Sequence, residues 1–140
     1  MNIAELGLPM VIPAPDAPAR VTIWEVGPRD GLQNEAEILP TAIKIEFIER
    51  LAVAGLSIIE ATSFVPARWV PQLADAAEVM AGLSPSASVR FPVLVPNERG
   101  LNLALAAGAQ EIAVFGSVTE SFARKNLNRT YDEQWAMFEP

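Results

Sequence analysis

Short apolar runs that alternate with helix-like stretches constrain this chain more than any other feature. Val21–Val26, Leu56–Thr62, Val89–Val95 and Glu111–Gly116 carry β-branched and aromatic residues and are punctuated by Gly, Pro or Asn. Each reads as a strand. The intervening stretches have helical spacing, and a strand that returns through a helix enters the sheet parallel to the strand before it. Leu51-Ala52-Val53-Ala54-Gly55 ahead of the second strand is echoed by Leu103-Ala104-Leu105-Ala106-Ala107-Gly108 ahead of the fourth, as repeated strand-helix units require. The fold expected is α/β with parallel strands and about four strand-helix units.

Composition narrows the function classes. With 51% apolar residues in 140, the chain can bury one ordinary core. A net charge of −7 without any long basic run excludes nucleic acid as partner, because phosphate binding needs clustered Lys and Arg. No Cys and no His occur, so no disulfide and no thiolate or imidazole metal site is available. No run approaches the roughly 20 apolar residues of a membrane span, and Met1–Met10 lacks the pattern of a secretory signal. These features read as soluble and cytoplasmic, with no membrane partner. Pro9, Pro13, Pro15 and Pro18 disfavour both helix and ladder, so residues 1–20 are expected to form an extended proline-rich arm before a domain at 21–140.

Along that domain, Thr41 is placed to cap a helix running to about Ala54, with Ile43, Phe47, Leu51 and Ala54 on one face and Gly55 at its left-handed end. Glu46 and Arg50 form a solvated i,i+4 pair. Pro71 opens a second helix through Leu73, Ala76, Ala77 and Met80 to Gly82, and Ser84-Pro85-Ser86 links it to the third strand. Asn97 suits the cap of a third helix containing Leu101 and Leu105 and ending at Gly108. Arg124, Lys125 and Arg129 form a local basic cluster in the loop after the fourth strand, and Thr130-Tyr131-Asp132-Glu133 is a capping box. A fourth helix has just begun where the sequence stops, which is expected of a break within a domain.

The chemistry concentrates in Val26-Gly27-Pro28-Arg29-Asp30-Gly31-Leu32-Gln33-Asn34-Glu35, where the first strand stops at Gly-Pro. Arg29 and Asp30 then stand at the carboxyl end of a parallel strand, the edge where such sheets bind ligands. The carboxylate is a hard oxygen ligand for a divalent cation, and the guanidinium can steady a developing enolate or a carboxylate. Asp in a turn before Gly also bonds its own backbone, so residue chemistry alone leaves both readings open. Glu60 lies inside an apolar strand and needs a cation, for which Arg29 is the nearest candidate; a structural ion pair is the alternative.

Gly27-Pro28-Arg29-Asp30-Gly31-Leu32-Gln33-Asn34-Glu35 resembles the opening signature of hydroxymethylglutaryl-CoA lyases. Ile59-Glu60-Ala61-Thr62-Ser63-Phe64-Val65, Trp69-Val70-Pro71-Gln72, Phe91-Pro92-Val93-Leu94-Val95-Pro96-Asn97, Phe115-Gly116, Glu120-Ser121-Phe122 and Lys125-Asn126 follow in that family's order. The resemblance implies the first half of a (β/α)8 barrel, since a complete one takes about 250 residues. It implies cleavage of the acyl-CoA substrate 3-hydroxy-3-methylglutaryl-CoA to acetoacetate and acetyl-CoA. By the same resemblance Asp30 ligates Mg²⁺ or Mn²⁺, Arg29 binds substrate and stabilises the enolate oxygen, Glu60 supports that cluster, and Gln33 orients the substrate. The family's His-x-His pair, its Asn from a later strand and its loop Cys are not matched, so the chain is expected to be inactive alone. A non-catalytic half-barrel, completed as a homo-oligomer or by a C-terminal half, is an alternative. A citramalate or isopropylmalate synthase relative, or a carboxyltransferase of biotin enzymes, is another; the longer Gly-Leu-Gln-Asn-Glu and Ser-Phe-Val matches favour the lyase.

Overall fold

Parallel pairing runs through the whole sheet of the computed structural model, which describes residues 16–84 and 86–138. Strand β1 (Trp24–Glu25) pairs with β2 (Ile58–Ile59) in the register Trp24↔Ile58, and β3 (Thr62–Ser63) pairs with β4 (Val93–Leu94) in the register Thr62↔Val93. Strand β5 (Ile112–Ala113) pairs with β4 through Val93↔Ile112. Hydrogen bonds weld β2 and β3 into one extended segment: the Glu60 amide donates to the Glu25 carbonyl at 2.8 Å, and the Ala61 amide to the Pro92 carbonyl at 2.9 Å. The strand segments expected from sequence therefore lie side by side in chain order without reversal, as in part of a (β/α)8 barrel.

Helices α1 (Thr41–Val53), α2 (Ala76–Gly82) and α3 (Glu98–Ala106) cover the sheet through two apolar clusters. Ile48, Ile59, Ala61 and Val79 join α1 and α2 to the second strand segment. Phe64, Ala76, Val93, Val95, Ala104 and Ala109 join α2 and α3 to the third, and Met80 packs against both groups. Burying Ile48 and Ile59 completely stabilises the fold by about 2–3 kcal/mol each relative to exposure. Alternation then turns Glu60 and Thr62 away from this helix-facing layer, because Ile59 and Ala61 occupy it. Gly55 and Gly108 have φ of 99° and 79°, so the two echoed segments do end in left-handed turns.

Several local expectations need correction. The buried stripe of α1 is Lys44 and Ile48 with Ile45, Leu51 and Ala52, whereas Ile43 is 47% and Phe47 36% exposed. The buried face is rotated by about one position from the expected one, with Lys44 and Ile48 in place of Ile43 and Phe47. Thr41 is the first helical residue rather than a cap, Pro40 occupies the cap position, and the Thr41 hydroxyl donates to Asp75 instead. The helix expected after Pro71 is split into a 3-10 turn, Pro71–Leu73, and α2. Arg124 and Lys125 lie on a further helix, α4 (Glu120–Leu127), capped by Thr119, and Arg124 pairs with Glu120.

Other features stand as read. Asn97 caps α3 by accepting from the Gly100 amide at 3.0 Å. Thr130 and Glu133 exchange both bonds of a capping box at the start of α5 (Glu133–Ala136), and Arg50 pairs with Glu46 at 2.7 Å. Among the described residues, no helix is long and apolar enough to cross a membrane. Most of the proline-rich arm, the absent signal pattern at Met1–Met10, Pro85 of the linker and the final residues 139–140 lie outside the described residues.

Candidate active site

After β1 the backbone folds into a wide turn over Gly27–Gly31, in which the Arg29, Asp30 and Gly31 amides all donate to the Val26 carbonyl, at 3.1, 2.7 and 3.3 Å. The last of these is the i→i+5 bond of a π-type turn, a geometry frequent at functional sites. Pro28 fits because an amide proton at that position has no acceptor in the turn, and its ring is buried. Gly27 fits because its amide donates to the Glu25 carboxylate at 2.6 Å, which brings that side chain within 2.8 Å of where a Cβ would stand.

This turn carries Arg29 over the end of the second strand segment. Its Nε donates to Glu60 Oε1 at 2.5 Å, and its Nη1 donates to Asp30 Oδ1 at 2.8 Å. Glu60 is only 4% exposed, and its second oxygen accepts from the Trp24 indole Nε1 at 2.9 Å. Both carboxylate oxygens of Glu60 are thus satisfied, which is what a buried carboxylate requires. The Asp30 carboxylate faces outward, with 54% of its side chain exposed. The contacts Trp24–Glu60–Arg29–Asp30 therefore pass from the buried Glu60 through the largely covered Arg29 to Asp30, the most accessible anion at the rim, while Trp24 braces Glu60 from a side chain that is itself 40% exposed.

Sequence reasoning identified Arg29, Asp30 and Glu60, and the structure brings all three together. Gln33 stands half-buried on the same loop but is not drawn into the Arg29–Glu60 network. Trp24 was missed as a site residue. The available signal was a tryptophan in the strand preceding Arg29, whose indole N–H is a donor in reach of the same edge.

A second cluster behind the loop was also missed. The Lys44 ammonium donates to Asp75 Oδ1 and to the Gln72 carbonyl, each at 2.5 Å, while Thr41 Oγ1 donates to Asp75 Oδ2 at 2.6 Å. Burial pushes the Asp75 carboxyl up, but hydrogen bonds from Lys44 and Thr41, together with the Lys44 charge, outweigh that and hold it below its usual value. The Gln72 side-chain amide donates in turn to the Glu35 carbonyl at 2.8 Å. The end of the Arg29–Glu35 loop is thereby fastened to the segment before α2. Thr62, Ser63 and Ser117, at or just beyond strand carboxyl ends, bury hydroxyls that meet no hydrogen-bond partner among the described residues.

For a divalent cation this donor set is thin. Among the described residues no three His, Cys, Asp or Glu side chains come together as a possible metal cage. Glu60 has both oxygens engaged, so Asp30 alone offers an accessible hard ligand beside Arg29.

A family model described as HMGL-like matches residues 20–139. The cytoplasmic 3-hydroxy-3-methylglutaryl-CoA lyase of Rattus norvegicus is 62% identical over 122 residues, which cover 87% of this chain and 36% of that protein. The crystal structure of hydroxymethylglutaryl-CoA lyase from Pseudomonas aeruginosa superposes with a TM-score of 0.83 at 43% identity, over 86% of this chain and 40% of that one. An HMG-CoA lyase from Acinetobacter baumannii, solved with coenzyme A and 3-methylmalate, matches with a TM-score of 0.79 at 36% identity, over 84% and 38%. The chain spans well under half the length of these relatives. With residues 20–139 of 140 matched by that model, the chain belongs to the HMGL-like family.

Proposed function

We propose that the edge carrying Arg29, Asp30 and Glu60 contributes to a carbon-carbon lyase site acting on 3-hydroxy-3-methylglutaryl-CoA. The observation that carries this reading is the Arg29 guanidinium, braced from below by Glu60 and flanked at the rim by Asp30. In the reaction the C3 hydroxyl loses its proton and the C2–C3 bond breaks. C3 becomes the ketone of acetoacetate, the electron pair passes to the thioester enolate, and protonation at C2 gives acetyl-CoA. Arg29 is fit to stabilise the enolate oxygen because Glu60 fixes its orientation before substrate arrives, so little reorganisation is needed as charge develops. Glu60 acts through Arg29, and Trp24 holds Glu60. Gln33, on the same loop, is assigned to substrate orientation.

Asp30 would be one ligand of Mg²⁺ or Mn²⁺, an ion that when bound polarises substrate oxygens and holds them in place. Further ligands are required, and the described residues do not supply them. The chain alone is therefore expected to bind substrate weakly and to show no turnover. The cytoplasmic relatives support a cytoplasmic location.

Calorimetry with the thioester in the presence of Mn²⁺, run beside coupled detection of acetoacetate, tests this reading. Arg29→Ala is expected to weaken binding by about tenfold or more, as for a charge-assisted contact. Equal binding by the variant would remove Arg29 from the site, and turnover abolished by Arg29→Ala would contradict the expected inactivity.

The outer strands support a second, compatible reading. Val21 and Ile23 flank or precede β1, Ile112 and Val114 lie on or beside β5, and all four are exposed. Such edges invite further strands, supplied by a second copy or by a complementing half. Light scattering that finds only monomer would exclude the second copy.

A further inference from the structure

We propose that Lys44 and Gln72 are positioning residues that set the Arg29–Glu35 loop against Glu60. The inference builds on the reading of Arg29 and Asp30 as working groups, but it concerns where their loop is held and can be tested without activity. Lys44 is 3% exposed on α1, so its ammonium would be costly to bury without acceptors. It finds both acceptors in the segment that precedes α2, the Gln72 carbonyl and the Asp75 carboxylate, each at 2.5 Å. That places the Gln72 backbone, and the Gln72 side chain then reaches the other way, donating to the Glu35 carbonyl at 2.8 Å.

The path thus runs from a buried charge on α1, through one residue's carbonyl and side-chain amide, to the end of the loop that begins at Val26. At its other end the same loop is held by the three amides on the Val26 carbonyl and by the Arg29–Glu60 bond. Within it the Asn34 and Glu35 amides donate to the Gly31 and Leu32 carbonyls, both at 3.2 Å, and the Asn34 side chain to the Asp30 carbonyl at 2.7 Å. Displacement at Glu35 is therefore relayed to Asp30. A solvated pair such as Glu46–Arg50 on the same helix has no such route to the loop.

The test uses the full chain and reads the loop directly by NMR. Gln72→Ala removes only the last link, at a partly exposed side chain. It should speed amide exchange at Asp30, Gly31, Asn34 and Glu35 by about fivefold, as for one lost hydrogen bond, and shift the Arg29 Nε–H signal. Lys44→Met should give the same loop response together with a lowered unfolding midpoint, and Glu46→Gln should give neither. Unchanged loop exchange and an unchanged Arg29 signal in Gln72→Ala would overturn the proposal, leaving Lys44 as a purely structural charge even if Lys44→Met unfolds. Loop signals that respond as expected in a chain that binds no thioester would uphold the positioning role and reject the lyase reading.

Discussion

Two Arg–Glu pairs sit at opposite ends of the strands and differ in almost everything but residue type. Arg90 and Glu111, flanking the amino ends of β4 and β5, meet through two parallel bonds, with Nε donating to Oε2 at 2.8 Å and Nη2 to Oε1, and both side chains remain open to water. Arg29 and Glu60, at the carboxyl ends, share a single bond; Glu60 spends its other oxygen on Trp24, and Arg29 turns Nη1 toward Asp30 at the rim. The first pair is closed on itself and can only tie neighbouring segments together. The second is one step in a chain of groups that leads outward, so its geometry can be felt by a ligand. This division matches the general rule that carboxyl ends of barrel strands carry chemistry and amino ends carry stability.

Deleting one carboxylate from each pair should separate them most sharply. Glu60→Ala leaves Arg29 largely covered without its counter-charge and the Trp24 indole without an acceptor, and is expected to destabilise the chain by roughly 3 kcal/mol in urea unfolding. Glu111→Ala should leave the urea midpoint almost unchanged, since exposed pairs contribute little. Equal losses would mean that burial does not distinguish the two.

A smaller effect is expected from Trp24→Phe, which keeps an aromatic side chain but removes the donor to Glu60 and part of the indole's packing. About 2 kcal/mol should be lost, within the usual range for a hydrogen bond to a charged group, with the Arg29 Nε–H signal retained. Loss of that signal would show that Trp24, rather than Arg29, anchors Glu60.

Acid adds a third pair to the comparison. The folded-state pKa of Asp75 lies below its unfolded value near 3.8, so its contribution is complete above that value and lost as pH falls through the folded pKa. Glu111 is likewise held low, chiefly by its bond from Arg90, with the same sign. As pH falls below about 4.5 for Glu111 and 3.8 for Asp75, stability should therefore decline in the unsubstituted chain and decline less in Lys44→Met. Raising salt to about 1 M, where screening acts within ~3 Å, should trim only the Glu111 part, the smallest change expected. Salt that erased the Asp75 part as well would show that this carboxylate is more solvated than its bonds to Lys44 and Thr41 imply.

Strand placement and the Arg29–Asp30–Glu60 grouping were legible because each follows from a local conflict. A strand broken at Gly27-Pro28 must deliver its next side chains to an edge, and a carboxylate among Ile58, Ile59 and Ala61 must find a cation. Lys44 and Gln72 were not legible, because no local conflict marks them as Glu60 is marked in its strand and only the packed fold joins them to Asp75 and Glu35; Trp24 offered just the weaker signal of an indole N–H. The α1 face was misread for the same reason: Lys44 looks solvent-facing until Asp75 is set beside it. Helix α4 was passed over because Ala123 is its one buried residue, leaving a weak apolar stripe.

That the carboxyl-end cluster is the working edge is tested most directly by titrating the ¹⁵N-labelled chain with Mn²⁺ and following paramagnetic broadening residue by residue. The account predicts broadening centred on the Asp30 and Gly31 amides, reaching the Trp24 indole, absent around Glu111 and Asp75, and abolished by Asp30→Asn. Broadening that survives Asp30→Asn, or that centres on Glu111 at the opposite end, would contradict it.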